Sequence, residues 1–104
     1  MKKISHIIPE SGEEVMIPVF EVQTPDDLYD KYRGEIYRAI VECMTRMSSG
    51  GWETHACFAV EAKEDEFTFN LNRDNIQEQV SLCLAYFESI EEYETCALIQ
   101  TLKF

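Results

Sequence analysis

A long amphipathic helix set between apolar runs narrows the folds open to this chain more than any other feature. Residues 24–47 read TPDDLYDKYRGEIYRAIVECMTRM. Tyr29, Tyr32, Ile36, Ile40, Cys43 and Met47 recur at helical spacing, and Tyr37, Val41 and Met44 widen the stripe. Thr24 is placed to cap the helix and Pro25 suits its first position. Asp26 and Asp27 complement the positive end of the dipole, and Arg46 the negative end. Gly34 costs about 1 kcal/mol inside a helix, so close packing is expected there. Ser48 to Gly51 are expected to release the helix through a left-handed glycine.

Before the helix, EVMIPVFEV (residues 14–22) is a continuous apolar run with β-branched side chains, the mark of a strand covered on both faces. Pro18 cannot donate to a ladder and implies a bulge or an unpaired side. Upstream, KISHII reads as a further strand and PESG as the turn between them. After the helix, GWETHACFAVEA and FTFNLN read as two strands. Trp52, Thr54, Ala56, Phe58 and Val60 alternate onto one face, with Phe67, Phe69 and Leu71 opposite them. A four-residue loop, Lys63 to Glu66, pairs Val60 with Phe69 and Phe58 with Leu71. It avoids the positive φ of a primed two-residue turn. DNIQEQVSLCLAYFESI predicts a second helix with Asp74 and Gln77 as a capping box, and with Ile76, Val80, Leu84, Phe87 and Ile90 inward. ETCALIQTLKF predicts a closing strand.

The expected class is therefore α+β, one domain over residues 1–104, with two helices on one face of a mainly antiparallel sheet. The order β-α-β-β-α-β is that of ferredoxin-like domains, with an extra N-terminal strand as a variant. That variant carries a conflict. In the ferredoxin-like order the strand at Val15 already has two neighbours, so a hairpin from residues 3–8 competes for one of its edges.

Twenty Asp and Glu against nine Lys and Arg give a net charge of −11. Such a surface repels phosphate backbones and anionic lipids, so neither direct nucleic-acid binding nor membrane association is expected. Basic proteins are its natural charged partners, although acidity can also serve solubility alone. A hydrophobic content of 45% argues against disorder despite the charge. The opening MKKISHIIPESGEE lacks a signal-peptide core, which makes a cytoplasmic location the expectation. Cys43, Cys57, Cys83 and Cys96 form no C-x-x-C pair and sit among apolar neighbours, so reduced core thiols are expected.

Strict alternation puts Glu53, His55, Cys57 and Glu61 on the open sheet face, with Asn72 across from Cys57 and Asn70 close by. Cys, His and Asn on one surface are the parts of a thiol-hydrolase site. Spacing argues against it. Same-face neighbours on a strand stand about 7 Å apart, and a nucleophile–base hydrogen bond needs about 3 Å. No catalytic residue is expected. A metal site recruiting His55 with Glu53 or His6 lacks a recognisable ligand spacing, so no metal or other cofactor is expected. Gly50-Gly51 follows a helix instead of preceding one, the wrong polarity for an anion. The open face carries no aromatic platform for RNA.

Two acidic clusters remain, Glu64, Asp65 and Glu66 at the hairpin turn and Glu88, Glu91, Glu92 and Glu94 where the second helix ends. Carboxylates at a helix C-terminus oppose the dipole, and no Lys or Arg between Arg73 and Lys103 offsets them locally. A solvated rim is the plain reading; docking of a basic protein partner is the functional one. The expected function is a small, acidic, non-enzymatic protein-interaction module. It would act as an inhibitor, an immunity-like protein or an adaptor, with nucleic-acid mimicry as one concrete mechanism. The alternative is a small-molecule-binding sensory or regulatory domain that forms a homodimer through its open sheet face.

Overall fold

The computed structural model describes residues 2–50 and 53–103. Lys3–Ile7 (β1) and Glu14–Val22 (β2) form an antiparallel hairpin. Gly12, at φ 74°, turns the chain between them, a conformation that glycine adopts without steric cost. Its N–H donates to the Ile8 carbonyl at 2.7 Å. Pro18 marks a handover within β2. Residues 14–18 pair with β1, whereas Val19–Val22 pair in parallel with Ala59–Ala62 of β3 (Thr54–Ala62). The residue without an N–H thus stands where the β3 ladder has not yet begun, the unpaired side that its chemistry requires.

The connection from β2 to β3 is the long helix. Pro25–Asp27 form a 3-10 turn with Pro25 at its start, and Thr24 Oγ1 donates to Asp27 Oδ2 at 3.2 Å instead of capping a backbone N–H. Leu28–Gly50 (α1) follow, broken at Tyr32 (φ −128°, ψ 24°). Tyr32 donates its hydroxyl to the Glu21 carbonyl at 3.3 Å, and its ring lies 5.0 Å from that of Phe20. The first turn is thereby pinned to the end of β2. Ile36, Ile40, Cys43, Met44 and Met47 are buried, as their spacing predicts. A Cβ at Gly34 would stand 3.0 Å from the Tyr86 hydroxyl, which is the close packing expected there. The helix runs through Ser48 to Gly50, further than expected, and Ser48 Oγ accepts the Lys103 N–H at 3.0 Å. Gly51, and Trp52 with its expected place under the helix, lie outside the described residues.

The sheet is mixed, in the order β1-β2-β3-β4, with Asp65–Asn72 as β4. The α+β class stands, but residues 93–101 are not a strand. They form a helix (α3, Tyr93–Thr101) beside α2 (Ile76–Ser89). Cys96, Ile99 and Leu102 recur every three residues and pack one flank against the core. In a strand Cys96 and Ile99 would point to opposite faces. No closing strand competes for β2, so its outer edge takes β1. α1 covers β2, β3 and β4, while α2 and α3 pack chiefly on α1 and on each other. No helix among the described residues is long and apolar enough to cross a membrane.

The β3–β4 hairpin closes through Lys63 and Glu64 alone, not through a four-residue loop. Glu61 faces Glu66, Val60 faces Phe67 and Phe58 faces Phe69. Neither turn residue has a positive φ, so the objection to a short turn does not apply. Phe58 stacks on Phe69 at 5.2 Å, and Phe67 is left 42% exposed. The Asp74–Gln77 capping box is also absent. Asn72 and Asn75 bridge β4 to α2 instead: Asn72 Oδ1 accepts the N–H groups of Asp74 and Asn75, and Asn75 Oδ1 accepts that of Asn72 at 2.8 Å. Ile90, expected inward, is exposed at the C-cap of α2.

α2 ends in a Schellman motif. Glu92 N–H donates to the Phe87 carbonyl at 2.8 Å and Glu91 N–H to that of Glu88 at 3.1 Å, with Glu91 at φ 61°. An L-residue pays about 1–2 kcal/mol to enter that region. Glu91→Gly is therefore expected to stabilise the fold by about 1 kcal/mol, read as a higher urea midpoint at unchanged slope. An unchanged or lower midpoint would contradict this account of the corner.

Candidate functional site

A β-bulge decides which way the expected site residues point. The β3–β4 register shifts between Ala56 and Phe58, leaving Cys57 as the extra residue. Beyond it His55 faces Leu71 and Ala56 faces Asn70, so alternation inverts across the bulge. His55 and Cys57 are therefore not on an open face. They are 1% and 3% exposed, and Cys57 belongs to the core shared with α1. Glu53 is exposed and lies 3.5 Å from Arg73, an ion pair in water. Glu61 does face outward, with Lys2 Nζ at 2.7 Å. Of the four residues expected to share one surface, two point into the protein.

The buried Cys43, Cys57 and Cys83 thiols and the His55 ring belong to the protein interior. Cys43 of α1 donates to the His55 carbonyl at 3.7 Å. Interaction with Cys57, with help from the His55 ring and Arg46, holds the Cys43 thiol below its usual range against the opposing effect of burial. Cys57 is the proton-keeping partner, pushed up by burial and by Cys43. Burial opposes charge on His55, but its contact with Cys43 outweighs this and raises its pKa. The rings of His55 and His6 lie 5.4 Å apart; burial and His55 lower the pKa of His6. Burial alone pushes Cys83 of α2 up to about 12. Reduced core thiols, expected from sequence, describe Cys43, Cys57 and Cys83, while Cys96 is half-buried and donates to the Leu84 carbonyl at 3.8 Å. Among the described residues no group of three or more His, Cys, Asp or Glu side chains is arranged to hold a metal ion.

The hairpin carboxylates belong to a larger array. Glu21 of β2 pairs with Glu61 of β3, which pairs with Glu66 of β4, so three carboxylates stand in one row across three adjacent strands. Lys2 reaches this row from the start of β1; its ammonium is raised above its ordinary value by the Glu61 hydrogen bond, with Glu21 and Glu66 adding to it. The row lines an open cleft of about 550 Å³ at the carboxyl ends of β2 and β3, shared with Glu64, Asp65, Lys31 and Lys63. Sequence reasoning found Glu64, Asp65 and Glu66 but missed Glu21 and Lys2. The parallel β2–β3 register brings in Glu21 and the pairing of β1 with β2 brings in Lys2, and a local pattern encodes neither.

The second acidic cluster is not uncompensated. Arg38 of α1 chelates both carboxylate oxygens of Glu92, and Thr95 Oγ1 donates to Glu92 Oε2 at 3.1 Å. The Arg38 hydrogen bond holds the Glu92 carboxyl below its ordinary value. A cation 54 residues away in the chain supplies what the local sequence lacks. Glu92 is thus a tether between α1 and α3, which leaves Glu88, Glu91 and Glu94 exposed at that corner. The two acidic clusters line different clefts.

The buried Cys83 thiol makes the stability of the fold fall at alkaline pH. Cys83 has a raised folded-state pKa, so the stability it contributes is full below about pH 9 and is lost as pH rises from there to about 12. Over that window the unfolded chain releases a proton that the folded chain retains, a slope of up to about 1.4 kcal/mol per pH unit. Urea midpoints at about pH 8 and about pH 10 are expected to fall less for Cys83→Ala than for the natural chain, whatever the absolute cost of the cavity. Equal falls would contradict the assignment.

No family model, curated protein or solved structure matches the chain.

Proposed function

We propose that this chain is a small, non-enzymatic protein-interaction module that receives a basic segment of a partner protein in the cleft at the carboxyl ends of β2 and β3. The observation that carries the reading is the row Glu21–Glu61–Glu66, in which like charges stand directly opposite across both ladders. Such pairs destabilise a sheet, and a bound cation relieves the cost. Neighbouring strands are about 4.8 Å apart, so the row offers Lys or Arg side chains an evenly spaced line of acceptors. An inhibitor, an immunity-like protein or an adaptor would use it alike, occluding a basic surface that otherwise grips phosphates. The proposed surface comprises Glu21, Glu61, Glu64, Asp65 and Glu66, with Glu88, Glu91 and Glu94 as a separate flank. The sensory reading, with a homodimer through the sheet face, has less support because His55 and Cys57 are turned inward.

Affinity capture from native lysate at about 0.05 M and about 0.5 M salt tests the proposal, since steering by exposed carboxylates is screened over that range. A basic protein is expected to be captured at low salt and lost at high salt. Glu64→Lys with Glu66→Lys is expected to weaken capture about tenfold or more, and Glu88→Lys with Glu94→Lys to leave it largely intact. Capture that resists both salt and the hairpin reversals would overturn the reading.

A further inference from the structure

The groove between α2 and α3 is built from one face of each helix. Leu84 and Glu88 line it from α2, and Tyr93, Cys96, Ala97 and Gln100 line it from α3 at the spacing of a single helical stripe. Its volume is about 370 Å³. Its walls are tied together: the Cys96 thiol donates to the Leu84 carbonyl, and Arg38 with Thr95 holds Glu92 at the corner that joins the helices. The largest side chain there is nevertheless uncovered. Tyr93 is 60% exposed, while Leu84 and Cys96 are half-buried. Apolar surface left open in a groove with fixed walls marks a place of contact.

The charge around the groove selects what can fill it. From Asp74 to Leu102 the chain carries six Asp and Glu and no Lys or Arg. Glu88 stands in the groove, and Tyr93 is shared with the adjoining cleft that Glu91 and Glu94 line. Arg38 answers Glu92, but Glu88, Glu91 and Glu94 have no ion pair among the described residues. A second copy seated face to face would set these carboxylates against their own kind, so the charge that admits a cation opposes a dimer. The backbone narrows the occupant further. α2 and α3 spend their N–H and C=O groups internally, so an extended segment would find no ladder to pair with. A helix satisfies its own backbone and offers a ridge of side chains. We propose that the α2–α3 groove docks an amphipathic helix of a partner protein, with its apolar side chains against Leu84, Tyr93 and Ala97 and its Lys or Arg beside Glu88, Glu91 and Glu94. The site is separate from the β2–β3 cleft. That cleft answers to charge, whereas the groove answers to an apolar stripe flanked by charge, and either can fail without the other.

The test titrates the native chain into a fluorescein-labelled synthetic peptide of about 16 residues, with Leu on one helical stripe and Lys elsewhere. A second peptide has the same composition with the stripe scrambled. The patterned peptide is expected to bind at least about tenfold tighter than the scrambled one. Raising salt from about 0.05 M to about 0.5 M is expected to weaken binding without abolishing it, because charge contacts are screened and apolar ones are not. Amide chemical shifts on the natural chain are expected to move at Leu84, Glu88, Cys96 and Ala97. Ala97→Lys, at an exposed helical position, sets an ammonium in the groove and is expected to cost at least about tenfold in affinity. Glu64→Lys with Glu66→Lys, remote from the groove, is expected to cost less than about threefold. Failure of the patterned peptide to bind, equal binding of the two peptides, shifts confined to the β2–β3 cleft, or a dimer that Ala97→Lys abolishes would each overturn the proposal and leave the reading of the cleft to its own test.

Discussion

Burial of α1 on both flanks is the constraint on which the other elements depend. Ile36, Ile40, Cys43 and Met44 are fully buried, and the core they join includes Phe20, Phe58 and Val60 of the sheet. A different set of side chains on the same helix meets the helical pair. Tyr37 stacks on Tyr86 at 4.6 Å, and the Arg38 guanidinium lies over the Phe87 ring at 5.4 Å before reaching Glu92. Each fully buried apolar side chain contributes about 1.5–3 kcal/mol, so a helix used twice anchors two layers with one set of backbone hydrogen bonds. Gly34 belongs to the same arrangement, because Tyr86 approaches where a side chain would otherwise stand.

The bulge at Cys57 is the second decision of the fold, and it is a chemical one. Without it, His55 and Cys57 would face outward beside Glu61. With it, both turn inward, and the row of carboxylates with its counter-ion Lys2 stands at the far end of β3. One inserted residue thus separates two chemistries: reactive groups held in the interior beneath α1, and an acidic row left at the surface. The helical tail makes a comparable exchange. Because α3 docks on the helices instead of joining the sheet, β2 keeps an edge for β1, and β1 brings Lys2 to the acidic row.

The parts of this fold that were legible in the sequence are those governed by local periodicity. The stripe from Ile36 to Met47, the strand at residues 14–22, the Pro18 irregularity and the turn at Gly12 all follow from side chains a few positions apart. The parts that were not legible depend on partners distant in the chain. The hairpin register differs from the one expected because the turn at Lys63 and Glu64 needs no positive φ. The inward turn of His55 was hidden because a bulge leaves no mark in an alternating pattern. The closing segment is apolar enough to suggest a strand, but Cys96, Ile99 and Leu102 carry a helical spacing. The compensation of Glu92 by Arg38 was out of reach for a reading confined to neighbours.

Native-state hydrogen exchange measures the central claim directly, because a helix buried on two sides opens only when both layers part. The account predicts that the amides of Ile36–Met47 exchange in the slowest class, together with Val19–Val22 and Ala59–Ala62, at a free energy equal to that of global unfolding. Exchange of Ile36–Met47 in a faster class, alongside β1 or α3, would contradict it.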